Sequence, residues 1–439
     1  MILYKNGTNF NNNKFPSIED IQHAQDLLIT NNIKKTPLQK STTFSEITGS
    51  NIFMKIESFQ KTGTFKVRGA LYKINKLSQE KIKNYNGIIA ASAGNHAQGV
   101  AYAAWTKSIP CVIVMPKNAS LSKIAATKSY GAKVILKGSD YDESFRIAQQ
   151  MANDEKLELI SAYDDYDIII GQGTIGLEII DELPEVDEIY IPIGGGGLAA
   201  GIAIAIKSKN PNVKIIGVES EAYPAMKRSV EMGSLQVVKA GYTIADGISI
   251  KSPGNITFEI IKEFIDDIVL VDDSAIVKTM FLLMERSKLV IEPAGAASLA
   301  YLLSKSHDID DYKIHTSTTS DKKKKKKKKK KKNVVVILSG GNIDMYLLGQ
   351  IVAKGLIQTG RLSKIFLLLQ DRPGEFKNVL DIISELGINI VEVVHDRLSS
   401  DIPTGMAGVF LSLEMENQSY IATLTSLLTE KRILFKILN

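Results

Sequence analysis

Cysteine is almost missing from this chain: Cys111 is the only one in 439 residues. No intrachain disulfide can form, so stability must come from a packed core, and a reducing compartment suits such a protein. Cys111 lies in the apolar run Pro110-Cys111-Val112-Ile113-Val114-Met115 and reads as a buried, inert thiol. No apolar run reaches the length that spans a bilayer, so no membrane partner is expected. Residues 1–16 are rich in asparagine and have neither arginine nor a hydrophobic stretch of signal-peptide type. They read as a flexible arm, and a cytoplasmic location is the expectation. Basic stripes interleaved with aromatics and zinc-finger spacings are also absent, which argues against nucleic acid as a partner and gives no reason to expect a metal.

The formal charge of +6 hides a second absence. Lys322 to Lys332 are eleven consecutive lysines, and taking these eleven from +6 leaves −5, so the remaining chain is mildly acidic. Residues 307–333 are polar, lack apolar periodicity and end in that run; they read as a solvated surface insertion, since like charges repel. With 44% hydrophobic and 23% charged residues, the chain as a whole has the composition of a soluble globular protein.

Between about residues 51 and 351, short apolar runs alternate with helical patterns. The runs are Ile52–Ile56, Gly87–Ala91, Cys111–Met115, Lys133–Leu136, Glu158–Ile160, Glu188–Ile193, Lys214–Val218, Ile268–Val271 and Val334–Leu338. That rhythm predicts βαβ units and largely parallel sheets, an α/β fold buried on both faces. Ahead of it, Ser17-Ile18-Glu19-Asp20 reads as a capping box opening a helix. After Gly360 the order changes to strand, helix, strand, strand, helix, strand, a ferredoxin-like βαββαβ unit over 361–439.

Parallel sheets bind ligands at the carboxyl ends of their strands. Three such ends carry small or polar loops: Ser92-Ala93-Gly94-Asn95-His96, Gly194-Gly195-Gly196-Gly197-Leu198 and Ser339-Gly340-Gly341-Asn342. A fourth, Gln60 to Ala70, follows the first run and places Lys66 where a polar loop becomes a helix. By residue type Lys66 is a surface lysine; desolvated at the mouth of a site it would be a nucleophilic amine. Four consecutive glycines before a helix can wrap a phosphate in backbone N–H groups. They also fit a relaxed dinucleotide fingerprint, with Glu219 as the ribose-binding acid, and this window alone leaves both readings open.

An amine together with a phosphate cradle suggests pyridoxal phosphate. Taken with Gly171-Gln172-Gly173-Thr174, Thr243 to Gly247, Glu292 to Ala297 and Ser339 to Asp344, the sequence resembles the threonine dehydratases (threonine ammonia-lyases) and their sister serine racemases. The resemblance covers about residues 17–360 and implies a two-subdomain pyridoxal-phosphate fold of tryptophan-synthase-β type, the smaller subdomain at about 60–155. The last unit, with Asp371-Arg372-Pro373-Gly374 between strand and helix, resembles a single ACT domain.

The resemblance assigns roles residue by residue. Lys66 matches the Schiff-base lysine, with Thr64 where serine is commoner, and Phe65 matches the aromatic beside the ring. Asn95 matches the partner of the phenolic oxygen, and the loop Ser92, Ala93, Gly94, Asn95, His96 matches the grip on the substrate carboxylate, with His96 as a brace. Gly194, Gly195, Gly196, Gly197 and Leu198 match the phosphate cradle. Gly247 and Glu292 match residues lining the ring, and Ser339 matches the partner of the pyridine nitrogen. A hydroxyl there leaves the ring a weak electron sink, which favours prompt β-elimination.

Racemisation needs a second acid/base opposite Lys66, and the position that carries serine in serine racemases is Ala93 here. The second acid of the racemases' cation site is replaced by Ala225, leaving Glu219 as a strand-end residue or part of a weak cation site. The implied activity is therefore dehydration of L-threonine, and of L-serine, by a homodimer or homotetramer, with serine racemase as the alternative. In the ACT-like unit Pro373, Gly374, Glu375 and Asn389 are the candidate positions for an amino-acid effector, beside the plainer reading of a tight turn and a strand start. Isoleucine inhibition with valine relief is the expectation for a biosynthetic role.

Overall fold

The structure is a computed structural model that describes residues 15–80, 84–306 and 331–438. Most of the expected arm and of the lysine-rich insertion lies outside these residues. The described end of the arm is docked: Phe15 packs edge-on against Phe264, with ring centroids 5.7 Å apart. The chain forms two compact units, Met1–Asp344 and Met345–Asn439.

Among the described residues the first unit holds β1 (Leu38–Ser41), β2 (Asn51–Ile56), β3 (Ile88–Ala91), β4 (Cys111–Met115), β5 (Lys133–Leu136), β6 (Glu158–Leu159), β7 (Glu188–Pro192), β8 (Lys214–Ser220), β9 (Asp267–Val271) and β10 (Asn333–Leu338). Two sheets result, in the orders β1-β2-β10-β7-β8-β9 and β5-β4-β3-β6. All pairs are parallel except β1 with β2. The continuous apolar runs have their cause here: β3, β4 and β10 are buried along almost their whole length.

Glycine explains how closely the helices approach. A Cβ on Gly171 would stand 2.6 Å from the Gly69 Cα, and one on Gly201 would stand 2.6 Å from the Gly173 amide nitrogen. The helices Lys66–Glu80, Tyr166–Glu182 and Gly197–Lys209 thus touch backbone to backbone, which is what the Gly171-Gln172-Gly173 block provides. The expected capping box is present at Ser17, whose amide donates to Asp20 Oδ2 at 2.8 Å.

The second unit opens with the helix Met345–Gln358, earlier than residue 361, the start that the change of pattern suggests. Arg361 ties that helix to the sheet, its amide donating to the Leu356 carbonyl and its carbonyl accepting from Met415. Then follow β11 (Leu362–Gln370), the helix Glu375–Glu385, β12 (Asn389–Asp396), β13 (Met406–Glu414), the helix Gln418–Glu430 and β14 (Leu434–Ile437). The expected βαββαβ order is present, as an antiparallel sheet β12-β13-β11-β14. Ile365, Leu367 and Leu369 alternate inward, meeting Val409, Leu411 and Leu413 from the neighbouring strand.

Candidate active site

The loop after β2 begins with the turn Glu57–Phe59 and reverses at Gly63, whose φ is +74°. Thr64 forms an antiparallel bridge with Gly340, and the Phe65 amide donates to the Ser339 carbonyl at 3.2 Å. Lys66 is the first residue of its helix, its amide held by Thr64 Oγ1 at 3.2 Å. The loops after β2 and β10 are therefore one structure, and Phe65, beside Lys66, meets Ser339 in it although 274 positions separate them.

Lys66 Nζ donates to the Ala162 carbonyl at 2.8 Å and lies 5.3 Å from the centroid of the Phe65 ring. Burial lowers its pKa to about 8, with Glu292 pulling in the opposite direction. A lysine read as surface by residue type is thus a desolvated amine. Ala162 is followed by Tyr163, whose ring closes over the glycine loop: a Cβ on Gly195 would fall 2.3 Å from it. Asp164 then caps the helix Asn255–Phe264, accepting from the amides of Asn255, Ile256 and Thr257. The Ala162–Asp164 segment, which carries no local signature in the sequence, joins the amine to the cradle.

Gly194 to Gly197 follow β7. Each has a neighbour that a side chain would strike: Ile248 and Gly247 for Gly194, Tyr163 for Gly195 and Gly197, and Thr257 for Gly196, whose φ is +97°. Close packing is therefore part of why all four are glycine, and Gly247 lies against this loop, its carbonyl oxygen 3.1 Å from where a Gly194 Cβ would stand. Leu198 is buried in the first turn of the 13-residue helix Gly197–Lys209. No side chain caps that helix, so its first N–H groups are directed at the loop, the arrangement that receives an anion.

After β3, Ser92 Oγ accepts from the Gly94 amide at 3.1 Å, and Gly94 is the N-cap of the helix Asn95–Thr106, again without a side-chain cap. Asn95 Nδ2 donates to both carboxylate oxygens of Glu292, at 2.7 and 2.9 Å. Its Oδ1 accepts from Asn342 Nδ2, which also donates to the Thr62 carbonyl. Burial pushes Glu292 up to about 7, opposed by the Asn95 hydrogen bond and assisted by nearby Asp246. His96 is buried, with Nε2 3.1 Å from the Ile160 carbonyl oxygen. Burial, and then the Lys66 charge, drive its pKa down to about 3, so it is neutral and braces the loop. Cys111 is buried and pushed up to about 12, an unreactive thiol.

Glu219 is buried and accepts from the Met226 and Lys227 amides, both at 2.8 Å, so its carboxylate caps the helix Ala225–Met232. Burial pushes it up to about 7. A ribose-binding acid has to face a ligand, and this one is committed to backbone, which removes the support for a dinucleotide. Pro373, Gly374, Glu375 and Asn389 lie in the second unit at the surface, with Asn389 Nδ2 donating to Glu414 Oε2 at 3.0 Å. Gly374 has φ +97° and caps the helix Glu375–Glu385.

A desolvated amine, a hydroxyl in the loop bridged to it, an amide side chain and an uncapped helix behind a glycine loop fit an aldehyde that carries a phosphate. Residues 29–340 match the family described as pyridoxal-phosphate dependent enzymes. An L-threonine ammonia-lyase of Thermotoga maritima is 42% identical over 415 residues, spanning 94% of this chain and 98% of that protein. A catabolic L-threonine dehydratase of Escherichia coli (strain K12) is 42% identical over 335 residues, 76% of this chain and 95% of that protein. Among solved structures, maize serine racemase superposes with a TM-score of 0.67 at 33% identity, covering 78% of this chain and 98% of that one. No helix among the described residues is long and apolar enough to cross a membrane. With the family matched over most of its length and a relative aligned nearly end to end, this chain belongs to the pyridoxal-phosphate dependent enzymes.

Proposed function

We propose that the protein is an L-threonine ammonia-lyase, converting L-threonine to 2-oxobutanoate and ammonia and L-serine to pyruvate. The observation that carries this reading is the Lys66 amine, held at the Ala162 carbonyl with its pKa lowered to about 8. The near full-length likeness to the Thermotoga maritima enzyme supports the choice of substrate.

Pyridoxal phosphate, when bound, supplies an electron sink that acidifies the substrate α-carbon. Lys66 Nζ would hold it, the Gly194–Gly197 amides and the helix that follows would receive its phosphate, and Asn95 and Ser339 would contact its ring. Within the protein, Lys66 Nζ is the base for the α-proton, since its lowered pKa gives it a neutral fraction at physiological pH. The uncapped start of the helix Asn95–Thr106 orients the substrate carboxylate. His96, neutral and fixed to Ile160, keeps that loop in register. Ala93 has no proton to exchange, so it offers no second base and the reaction runs to elimination rather than to racemisation. Ser339 would meet the ring nitrogen with a neutral hydroxyl, without the charge that makes the ring a strong electron sink.

The test is direct. The purified protein should absorb near 410–420 nm (an approximate range from the cofactor's chemistry) and form 2-oxobutanoate from L-threonine. Rapid conversion of L-serine to D-serine on chiral chromatography, or NADH binding without that band, would overturn the reading.

The βαββαβ order of the second unit supports an ACT domain that binds an amino acid and sets the activity of a cytoplasmic homo-oligomer. Pro373, Gly374, Glu375 and Asn389 are the positions that would meet the effector. Isoleucine inhibition relieved by valine is the expected behaviour, read from threonine turnover against both amino acids.

A further inference from the structure

Two residues beyond Lys66 the core contains a group of full charges that the reaction does not use. Arg68 is 1% exposed, and Lys55 and Glu57 are wholly buried. The guanidinium grips Glu57 as a fork, Nε to Oε2 and Nη2 to Oε1, both at 2.9 Å. It also grips Glu178, Nη1 to Oε1 at 2.6 Å and Nη2 to Oε2 at 3.1 Å. Nη1 reaches Thr174 Oγ1 at 3.2 Å, and Nη2 reaches the Lys34 carbonyl at 3.3 Å. Lys55 Nζ completes the group, 2.6 Å from Glu178 Oε2 and 2.6 Å from the Thr36 carbonyl.

Two cations and two carboxylates balance in charge. Burying such a set gains little stability over apolar side chains of the same volume, because desolvation offsets the attraction. What the set does supply is direction: a planar fork held on two edges fixes its own backbone in place. The elements it joins are those that locate the start of the Lys66 helix. Glu57 opens the turn after β2, and Glu178 stands on the helix Tyr166–Glu182. Residues i and i+2 of a helix point to different faces, so Arg68 can be anchored in the core while Lys66 is presented to the site.

The backbone around this turn has no slack. A Cβ on Gly69 would lie 2.6 Å from Gln172 Nε2, and one on Gly99 would lie 3.1 Å from the Lys66 carbonyl carbon. A turn packed this closely moves as a unit or stays where it is.

We propose that Arg68 is a positioning residue for the Lys66 amine: clamped by Glu57 and Glu178, it sets the rotation and height of the first helical turn, and with them the place of Nζ between the Ala162 carbonyl and the Phe65 ring. The proposal rests on Lys66 being the cofactor-bearing amine.

The experiment compares R68K with K73M in the full-length enzyme. Lys73 lies on the same helix and pairs with Asp165 at 2.8 Å and Asp167 at 3.1 Å, tying it to the same neighbouring helix. The readouts are thermal midpoint, kcat and KM for L-threonine, and the rate at which cofactor-free protein captures pyridoxal phosphate, followed by absorbance. R68K should lower kcat by about 30- to 100-fold with KM within about threefold, and slow capture about tenfold, the scale of a misplaced reacting group. K73M should lower the midpoint while leaving kcat and capture within about twofold. If R68K fails to fold, E178Q removes one arm of the clamp and should show the same split at about 3- to 10-fold. Unchanged kcat and capture in R68K, or in E178Q where that variant is used, overturns the proposal. So does K73M matching the Arg68-clamp variant at equal loss of midpoint. An active K66A variant would instead remove the reading of Lys66 itself.

Discussion

The two units bury very different things. In the first, charged side chains lie inside: Lys55, Glu57, Arg68, Glu178, Glu219 and Glu292 are each 5% exposed or less. In the second, the buried polar side chains among the described residues are Ser363 and Ser412, and the core is aliphatic. Burying charge is costly and has to be matched by partners at defined distances. Of these groups Glu292 acts on the Lys66 amine and Arg68 stands two residues from it, whereas Glu219 caps a helix. A unit with an aliphatic core carries no such internal matching, and its polar side chains stand at its surface.

Removing the amine should have the largest effect. Lys66→Ala is expected to lower 2-oxobutanoate formation by at least about 1,000-fold, with the fold retained by circular dichroism; near-normal turnover would end the distinction between the units. A core cut in the second unit comes next. Leu411→Ala, at a side chain 1% exposed, should destabilise that unit by about 2–4 kcal/mol in denaturant melts while threonine turnover without effector is kept.

A pH series sharpens the chemistry of the first unit. With a pKa of about 8, Lys66 is mostly protonated at pH 7 and mostly neutral at pH 9. Capture of pyridoxal phosphate by cofactor-free protein should therefore rise about tenfold between those values and level off above. An ordinary lysine, at about 10.4, would go on rising through pH 10. The smallest change in turnover is expected from the largest deletion. Removing residues 345–439 should leave turnover within about twofold and abolish any response to isoleucine or valine.

Much of this is legible in the sequence. Strands buried on both faces leave unbroken apolar runs, so the bounds of β4 are legible to the residue; those of β5, half-exposed but a compact Lys-Val-Ile-Leu run, are legible too, and the other runs fall within two residues of their strands. β1 was not seen, because it is four residues long with polar Gln39 and Lys40 exposed on it. At the site, Lys66 and the glycine loop were legible because amine and cradle each carry a local signature. The chain Asn342–Asn95–Glu292 was not, since its first bond spans 247 positions and its second 197. Arg68 was read only as part of a motif, and nothing local marks which carboxylates will surround it. A charge network is written in three dimensions, whereas a strand or a glycine loop is written along the chain.

One feature of the sheet bears on how the protein is made. β10 lies between β2 and β7 and closes the six-stranded sheet. β7 ends at Pro192 and β10 begins at Asn333, so the ribosome adds about 140 residues between them. At roughly 5–20 residues per second that interval lasts about 7–28 s. Throughout it the inner edges of β2 and β7 stand without their partner, and an unpaired edge is open to another chain. Until the last strand of the sheet emerges, the nascent protein can have neither its Ser339 loop nor a complete place for Lys66, and its solubility in that interval rests on whatever shields those two edges.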